Sequence, residues 1–182
     1  MHTPKVAVVY LTYFRKDSES DIRACFETLQ KVNYPREAWK IIMVENPSPN
    51  GASKPFIERD WMPKAGVTLP AMEHHSNVKD LGYAGANNVA IDSAKAWGAD
   101  YLFLLNQDTV VHPDFLKEAV EYAAAHPNAA AVQSRLMLGQ ETDKLNTRGN
   151  ALHFLGYGYC LGEGQTMEEA AQIGRASCRE RV

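Results

Sequence analysis

The chain has 182 residues, a formal net charge of −3 and three cysteines, with a pI near 6.1. That length suits one α/β domain with a sizeable core, and the mildly acidic balance gives no electrostatic reason to expect a nucleic-acid partner. No apolar run reaches the roughly 18 residues of a membrane span, and Met1-His2-Thr3-Pro4-Lys5 lacks the composition of a secretory leader, so the expected compartment is the cytosol. Cys25, Cys160 and Cys178 show no metal-ligand spacing and read as reduced thiols there.

Val6 to Tyr13 reads as a strand. A helix follows over about Ser18 to Val32, where Ile22, Phe26 and Leu29 form one apolar stripe. A second strand runs from Trp39 to Val44 and completes a βαβ opening. Pro47, Pro49, Asn50 and Gly51 mark a loop, and a short strand is expected over Val67 to Met72. The next helix is expected to start near Gly85 or Ala86 and to run through Ala96, with Gly98 stopping it. Tyr101 to Leu105 reads as a buried strand, Asn106 to Val111 as a turn, and Pro113 to Ala125 as a helix. Ala129 to Ser134 offers one more strand. Beyond Gly139 the glycines at 149, 156, 158, 162 and 164 point to turns or a mobile flap.

Strands alternating with helices favour a mostly parallel, Rossmann-like sheet flanked by helices on both faces. In such folds, ligands bind beyond the carboxyl ends of the strands. Leu104-Leu105-Asn106-Gln107-Asp108 places one carboxylate there. Asp108 is a hard oxygen ligand suited to Mg²⁺ or Mn²⁺, and Asn106 offers a weaker neutral oxygen. The plain alternative for Asp108 is a polar strand cap.

Three segments together resemble the nucleotide-sugar-binding domain of family 2 glycosyltransferases, in particular their rhamnosyltransferase-like branch. They are Val8-Val9-Tyr10-Leu11-Thr12-Tyr13-Phe14-Arg15, Val44-Glu45-Asn46-Pro47-Ser48, and Asn77 to Asn88 followed by Asn106 to Asp108. The resemblance covers roughly residues 6–161. It implies a glycosyltransferase-A-like fold and inverting transfer of a sugar from a nucleotide-sugar donor to an acceptor hydroxyl. A saccharide or lipid-linked acceptor follows, in cell-surface polysaccharide or glycolipid synthesis.

By that resemblance, Thr12 and Tyr13 are candidates for base or ribose contacts, Tyr13 by stacking and Thr12 through its hydroxyl; the plain reading is a strand cap and core edge. Glu45 stands where the family commonly has aspartate, and either binds base or ribose or stabilises its loop. Asp80, Gly82 and Asn87 are donor contacts by resemblance, with a surface turn and a helix cap as the alternatives for Asp80 and Asn87. Gly82 and Gly85 permit a tight backbone path into a helix whose N–H groups face phosphate. Their spacing is neither the dinucleotide fingerprint nor a phosphate-binding loop with lysine.

Asp108 matches the terminal aspartate of the family's Asp-x-Asp element, while Asn106 replaces the first acidic residue and removes one anionic ligand. Arg148 is a candidate phosphate contact through its fixed donors. His74-His75 read as loop or strand-edge histidines. The resemblance leaves the catalytic base unknown: Glu163, Glu168 and Glu169 are available carboxylates without a motif around them.

Residues 1–164 are therefore expected to form the nucleotide-sugar-binding part of a truncated enzyme, with 165–182 an uncertain terminal segment. Within it, 173–182 shift abruptly to basic residues and read as a cloning remnant. Peripheral membrane contact, at the inner face of the membrane, would be supplied by a missing region. A nucleotide-binding regulatory domain and a sugar-phosphate nucleotidyltransferase are the competing readings.

Overall fold

The computed structural model describes residues 3–139, 141 and 143–172. They fall into two compact units divided after Ala125. In the first, four parallel strands, β1 (Val6–Tyr13), β2 (Trp39–Asn46), β3 (Ala71–Ser76) and β4 (Tyr101–Asn106), lie in the order β3-β2-β1-β4. Four helices connect or follow them: α1 (Ser18–Leu29), α2 (Lys54–Asp60), α3 (Gly82–Trp97) and α4 (Phe115–Ala125). The expected α/β fold, mostly parallel and flanked by helices, is the one observed.

The near-continuous apolar run of β1 follows from its place at the centre of the sheet, where both faces are covered. Val6, Val8 and Tyr10 point to one face and meet Ile22, Phe26 and Leu29 of α1, Phe56 and Ile57 of α2, and Leu116 of α4. Phe26 anchors this side, with its ring 5.2 Å from that of Tyr10 and 5.0 Å from that of Trp61. Its truncation to alanine would cost about 3–5 kcal/mol. Ala7 and Val9 point to the other face, where Ala86, Ala90 and Ala94 give α3 a flat surface against Ile42 and Val44.

The helix ends have local causes. After Leu29 the turn tightens, Lys31 and Val32 donating to the carbonyls three residues back, so α1 stops short of the expected Val32. Gly98, at φ 78°, closes α3 as expected. Its N–H donates to Lys95 O and that of Ala99 to Ala94 O, the paired bonds of a Schellman motif.

Four expectations are corrected. Tyr101 to Leu105 forms a strand, as expected, but not a buried one: β4 is an edge of the sheet, with Leu105 buried and Leu102 and Leu104 exposed on the other face. The third strand lies over Ala71–Ser76, not Val67 to Met72. Lys64 O accepts the N–H groups of Val67, Thr68 and Leu69, which holds that stretch in a turn, and Val67 is left exposed. β3 pairs only with β2, and an edge strand tolerates the polar Glu73, His74 and His75. Helix α3 begins at Gly82, three or four residues before the expected start. Ala129 to Ser134 forms no strand: all six residues are exposed, and its alanines have little apolar surface to bury. Helix α2 was not foreseen.

The second unit holds two small antiparallel pairs, β5 (Leu136–Met137) with β6 (Leu145–Thr147) and β7 (Asn150–Leu152) with β8 (Gly158–Cys160), then α5 (Met167–Gln172). The glycine-rich stretch expected as turns or a flap thus contains hairpin strands. Residues 173–182, with Cys178 and the suspected cloning remnant, lie outside the described residues.

Candidate functional site at the carboxyl edge of the sheet

β1 lies between β2 and β4, and the chain reverses its direction of winding there. The crevice beyond the carboxyl ends of β1 and β4 is the switch point at which open α/β sheets bind ligands. Register divides the residues at this edge between the two faces. Tyr13 pairs with Asn46 and Leu11 with Asn106, on the α3 face. Thr12 pairs with Glu45, on the face covered by α1 and α2.

On the α3 face, Asn46 is buried and acts as a clasp. Its Nδ2 donates to Gly82 O at 3.2 Å, and its Oδ1 accepts from Asn77 Nδ2 at 2.9 Å and from Leu81 N at 3.4 Å. It fastens the end of β2 to the entry of α3. Asp80 Oδ1 accepts the Gly82 N–H at 2.8 Å, which caps the same entry, and Gly82 takes φ +64°, a conformation that disfavours any side chain. A Cβ on Gly85 would stand 2.9 Å from Leu81 Cβ, so the tight path there also needs glycine. The amino terminus of α3, with its positive dipole end, is thereby set at the edge of the crevice. Asn87 is no helix cap: it is buried one turn inside α3, its Nδ2 donating to Tyr83 O at 2.8 Å.

Tyr13 and Asn106 are exposed at the mouth. Asp108 follows two residues after β4, and Arg15 Nη2 lies 3.4 Å from its Oδ2, with the two side chains 55% and 51% exposed. Between them runs a polar network centred on Gln107, which no sequence motif singles out. Gln107, itself buried, accepts the Tyr13 N–H at Oε1 (3.0 Å) and donates from Nε2 to Tyr13 O (3.2 Å) and Ser18 Oγ (3.1 Å).

On the opposite face, Glu45 is turned inward. It is 5% exposed, its Oε1 accepts the Ser53 N–H at the start of α2, and its Oε2 lies 3.9 Å from His74 Nε2. Loop stabilisation is the role this geometry performs; a nucleotide contact would have to use Oε2. Thr12 is also fully buried, and Thr12 Oγ1, Ser53 Oγ and both His74 ring nitrogens make no hydrogen bond among the described residues. Burial lowers the His74 pKa below its ordinary value, against the opposing pull of the Glu45 charge.

Arg148 belongs to the second unit. Its N–H donates to Leu161 O and its side chain is half-buried, passing the spot that a Cβ on Gly162 would fill. Of the other available carboxylates, Glu169 is a helix cap. Its Oε2 accepts the Thr166 N–H at 2.8 Å while its own N–H donates to Thr166 Oγ1 at 3.3 Å, a capping box legible in Thr166-Met167-Glu168-Glu169. Glu163 and Glu168 are exposed.

Among the described residues, no group of three or more His, Cys, Asp or Glu side chains converges on one point. No helix among them is long and apolar enough to cross a membrane.

Solved structures share this fold. A mannosyltransferase, PcManGT from Pyrobaculum calidifontis, in complex with GDP-Man and Mn²⁺, is 21% identical with a TM-score of 0.58, over 75% of this chain and 36% of that one. S. aureus TarS, residues 1–349, is 17% identical with a TM-score of 0.54, over 82% of this chain and 41% of that one. The same TarS fragment in complex with UDP-GlcNAc is 19% identical with a TM-score of 0.54, over 73% of this chain and 38% of that one. The chain therefore spans well under half the length of these proteins. No curated protein sequence matches it. The profile of glycosyl transferase family 2 matches residues 7–174, nearly the whole chain, and the chain therefore belongs to that family.

Proposed function

We propose that this chain binds a nucleotide-sugar donor at the carboxyl edge of β1, β2 and β4, and that the protein containing it transfers the sugar to an acceptor hydroxyl with inversion. The observation that carries this reading is the convergence of Tyr13, Asp108 and the capped amino terminus of α3 on the switch-point crevice, in a chain of family 2. The exposed ring of Tyr13 stacks on the base. The α3 N–H groups, set by Asp80, Gly82 and Asn46, face the diphosphate.

Asp108 and Asn106 supply hard oxygen donors, one charged and one neutral, of the type that binds Mg²⁺ or Mn²⁺ together with substrate phosphates. The half-exposed Asp108 carboxylate, which among the described residues contacts Arg15 at 3.4 Å, is open to an approaching cation. This donor set fits the metal, and PcManGT was solved with Mn²⁺. When bound, the ion neutralises charge on the departing diphosphate. On the opposite face, the orphan hydroxyl of Thr12 and Oε2 of Glu45 would gain partners from a base or ribose entering beneath the 47–53 loop.

GDP-Man and UDP-GlcNAc in the neighbouring structures support a nucleotide-sugar donor as the ligand class. The rhamnosyltransferase-like subtype, a saccharide or lipid-linked acceptor, and a place in surface polysaccharide or glycolipid synthesis extend this proposal. The test is incubation with a panel of nucleotide sugars, Mn²⁺ and acceptor saccharides, with products identified by mass spectrometry and anomeric NMR. A glycoside of inverted configuration is expected. Nucleotide binding without any glycoside from the full-length protein would favour a regulatory domain, and pyrophosphate release with nucleotide joined to sugar phosphate would favour a nucleotidyltransferase.

A further inference from the structure

We infer that Gln107 is a positioning residue of the donor site, holding Asp108 and the end of β1 in one arrangement through which the metal-dependent part of donor binding is expressed; this rests on the donor-site reading above. Gln107 is 5% exposed, although it sits in a turn between the exposed Asn106 and Asp108. Its carboxamide meets the main chain of Tyr13 as a strand residue would, accepting from N–H at 3.0 Å and donating to C=O at 3.2 Å. A primary amide offers both functions on neighbouring atoms, as a peptide group does, and asparagine is one methylene shorter.

The second amide hydrogen goes to Ser18 Oγ at 3.1 Å, and that oxygen also accepts the Arg15 N–H at 2.6 Å. The Arg15 guanidinium then reaches Asp108 at 3.4 Å. Gln107, Ser18, Arg15 and Asp108 thus close a ring that starts and ends on adjacent residues. The main chain of Gln107 is fixed as well, because its carbonyl accepts the fully buried Tyr10 hydroxyl at 3.1 Å. With both ends of Gln107 pinned, the direction in which the Asp108 carboxylate leaves the turn is set by the end of β1, at Tyr13. Preorganisation of this kind acts on a metal ligand without touching the ligand itself.

The test is calorimetry of nucleoside diphosphates, with and without Mn²⁺, on the wild-type chain, Gln107→Met, Gln107→Glu and Asp108→Ala, with folding followed by circular dichroism. Gln107→Met keeps the length of the side chain and deletes all three of its hydrogen bonds. It is expected to lose about tenfold in Mn²⁺-enhanced affinity and distinctly less in metal-free affinity. Gln107→Glu, which retains only the acceptor for Tyr13 N–H, is expected to fall between the two. Should Gln107→Met fail to fold, Ser18→Ala removes the amide's second partner from the other side and is expected to lower Mn²⁺ enhancement in the same sense.

A folded Gln107→Met with wild-type Mn²⁺ enhancement would overturn the proposal. So would an equal loss of metal-free and metal-dependent affinity, which marks a purely structural role. Wild-type enhancement abolished by Asp108→Ala but untouched by Gln107→Met removes the positioning role alone. A wild-type chain without enhancement removes the donor-site reading beneath it.

Discussion

Arg15 and Asp108 face each other across the switch-point crevice at 3.4 Å, each about half exposed to solvent. An ion pair this open to water is worth at most about 1 kcal/mol and is screened by salt. Its carboxylate is therefore dispensable for folding, and that separates stability from function at this position.

Asp108→Asn should accordingly unfold within about 1 kcal/mol of the wild type in urea titrations, yet lose the metal-dependent increment in nucleotide affinity. A loss of several kcal/mol would instead make Asp108 the strand cap of the plain reading.

Glu45 should behave in the opposite way. Its buried carboxylate holds the Ser53 N–H, so Glu45→Ala strands a buried donor and is expected to cost about 2–3 kcal/mol. Glu45→Gln keeps an acceptor and should cost less. Urea unfolding of the two variants side by side reads the difference.

His74 makes stability fall in mild acid. Burial lowers its pKa in the folded chain, so below the unfolded value of about 6.5 the unfolded state binds more protons. Stability contributed by neutral His74 is fully present above that pH and declines as pH drops beneath it. Glu45, Lys54, Glu58 and His75 are the charged or titratable groups that act on it. His74→Leu removes the titration, and its stability should change less than that of the wild type between pH 7.5 and 5.5, about the range where histidine titrates.

Cysteine labelling gives a check on packing. Burial pushes the Cys25 thiol up to about 12, and the side chain lies in the core against Tyr10, whereas Cys160 is exposed on β8. Iodoacetamide should modify Cys160 in the native protein and Cys25 only after unfolding, as read by peptide mass mapping.

The parts of the fold that were legible in the sequence are those where local pattern and burial agree. β1 announces itself through a continuous apolar run and α1 through its Ile22, Phe26, Leu29 stripe, because each is covered by the layer that its pattern requires. The equally apolar run of β4 conveys the strand but not its burial, since it lies at the sheet edge with Leu102 and Leu104 exposed. α2 is seven residues long and shows only Phe56 and Ile57 to the core, too few for a period. β3 is an edge strand, so its polar residues hide it while the more apolar Val67 to Met72 draws attention to a turn.

The site divides along the same line. Asp108 and Tyr13 stand where strand ends put them, which sequence spacing conveys, whereas Gly82 opens a helix whose expected start lay three or four residues later. Glu45 was expected just past a strand ending at Val44 and lies inside β2, and the direction of its side chain is decided by Ser53 and His74, eight and 29 residues away in the chain. Gln107 and Asn46 lay in plain view within quoted motifs. Their partners, Tyr13 and Ser18 for one and Asn77 and Gly82 for the other, come close only once the strands align.

Binding calorimetry of this chain against a panel of nucleoside diphosphates, each with and without Mn²⁺, tests the central claim most directly. Selective binding that Mn²⁺ strengthens, and that Asp108→Ala reduces to its metal-free level, is the predicted result. A folded chain that binds no nucleoside diphosphate in either condition would contradict a donor half-site at this edge of the sheet.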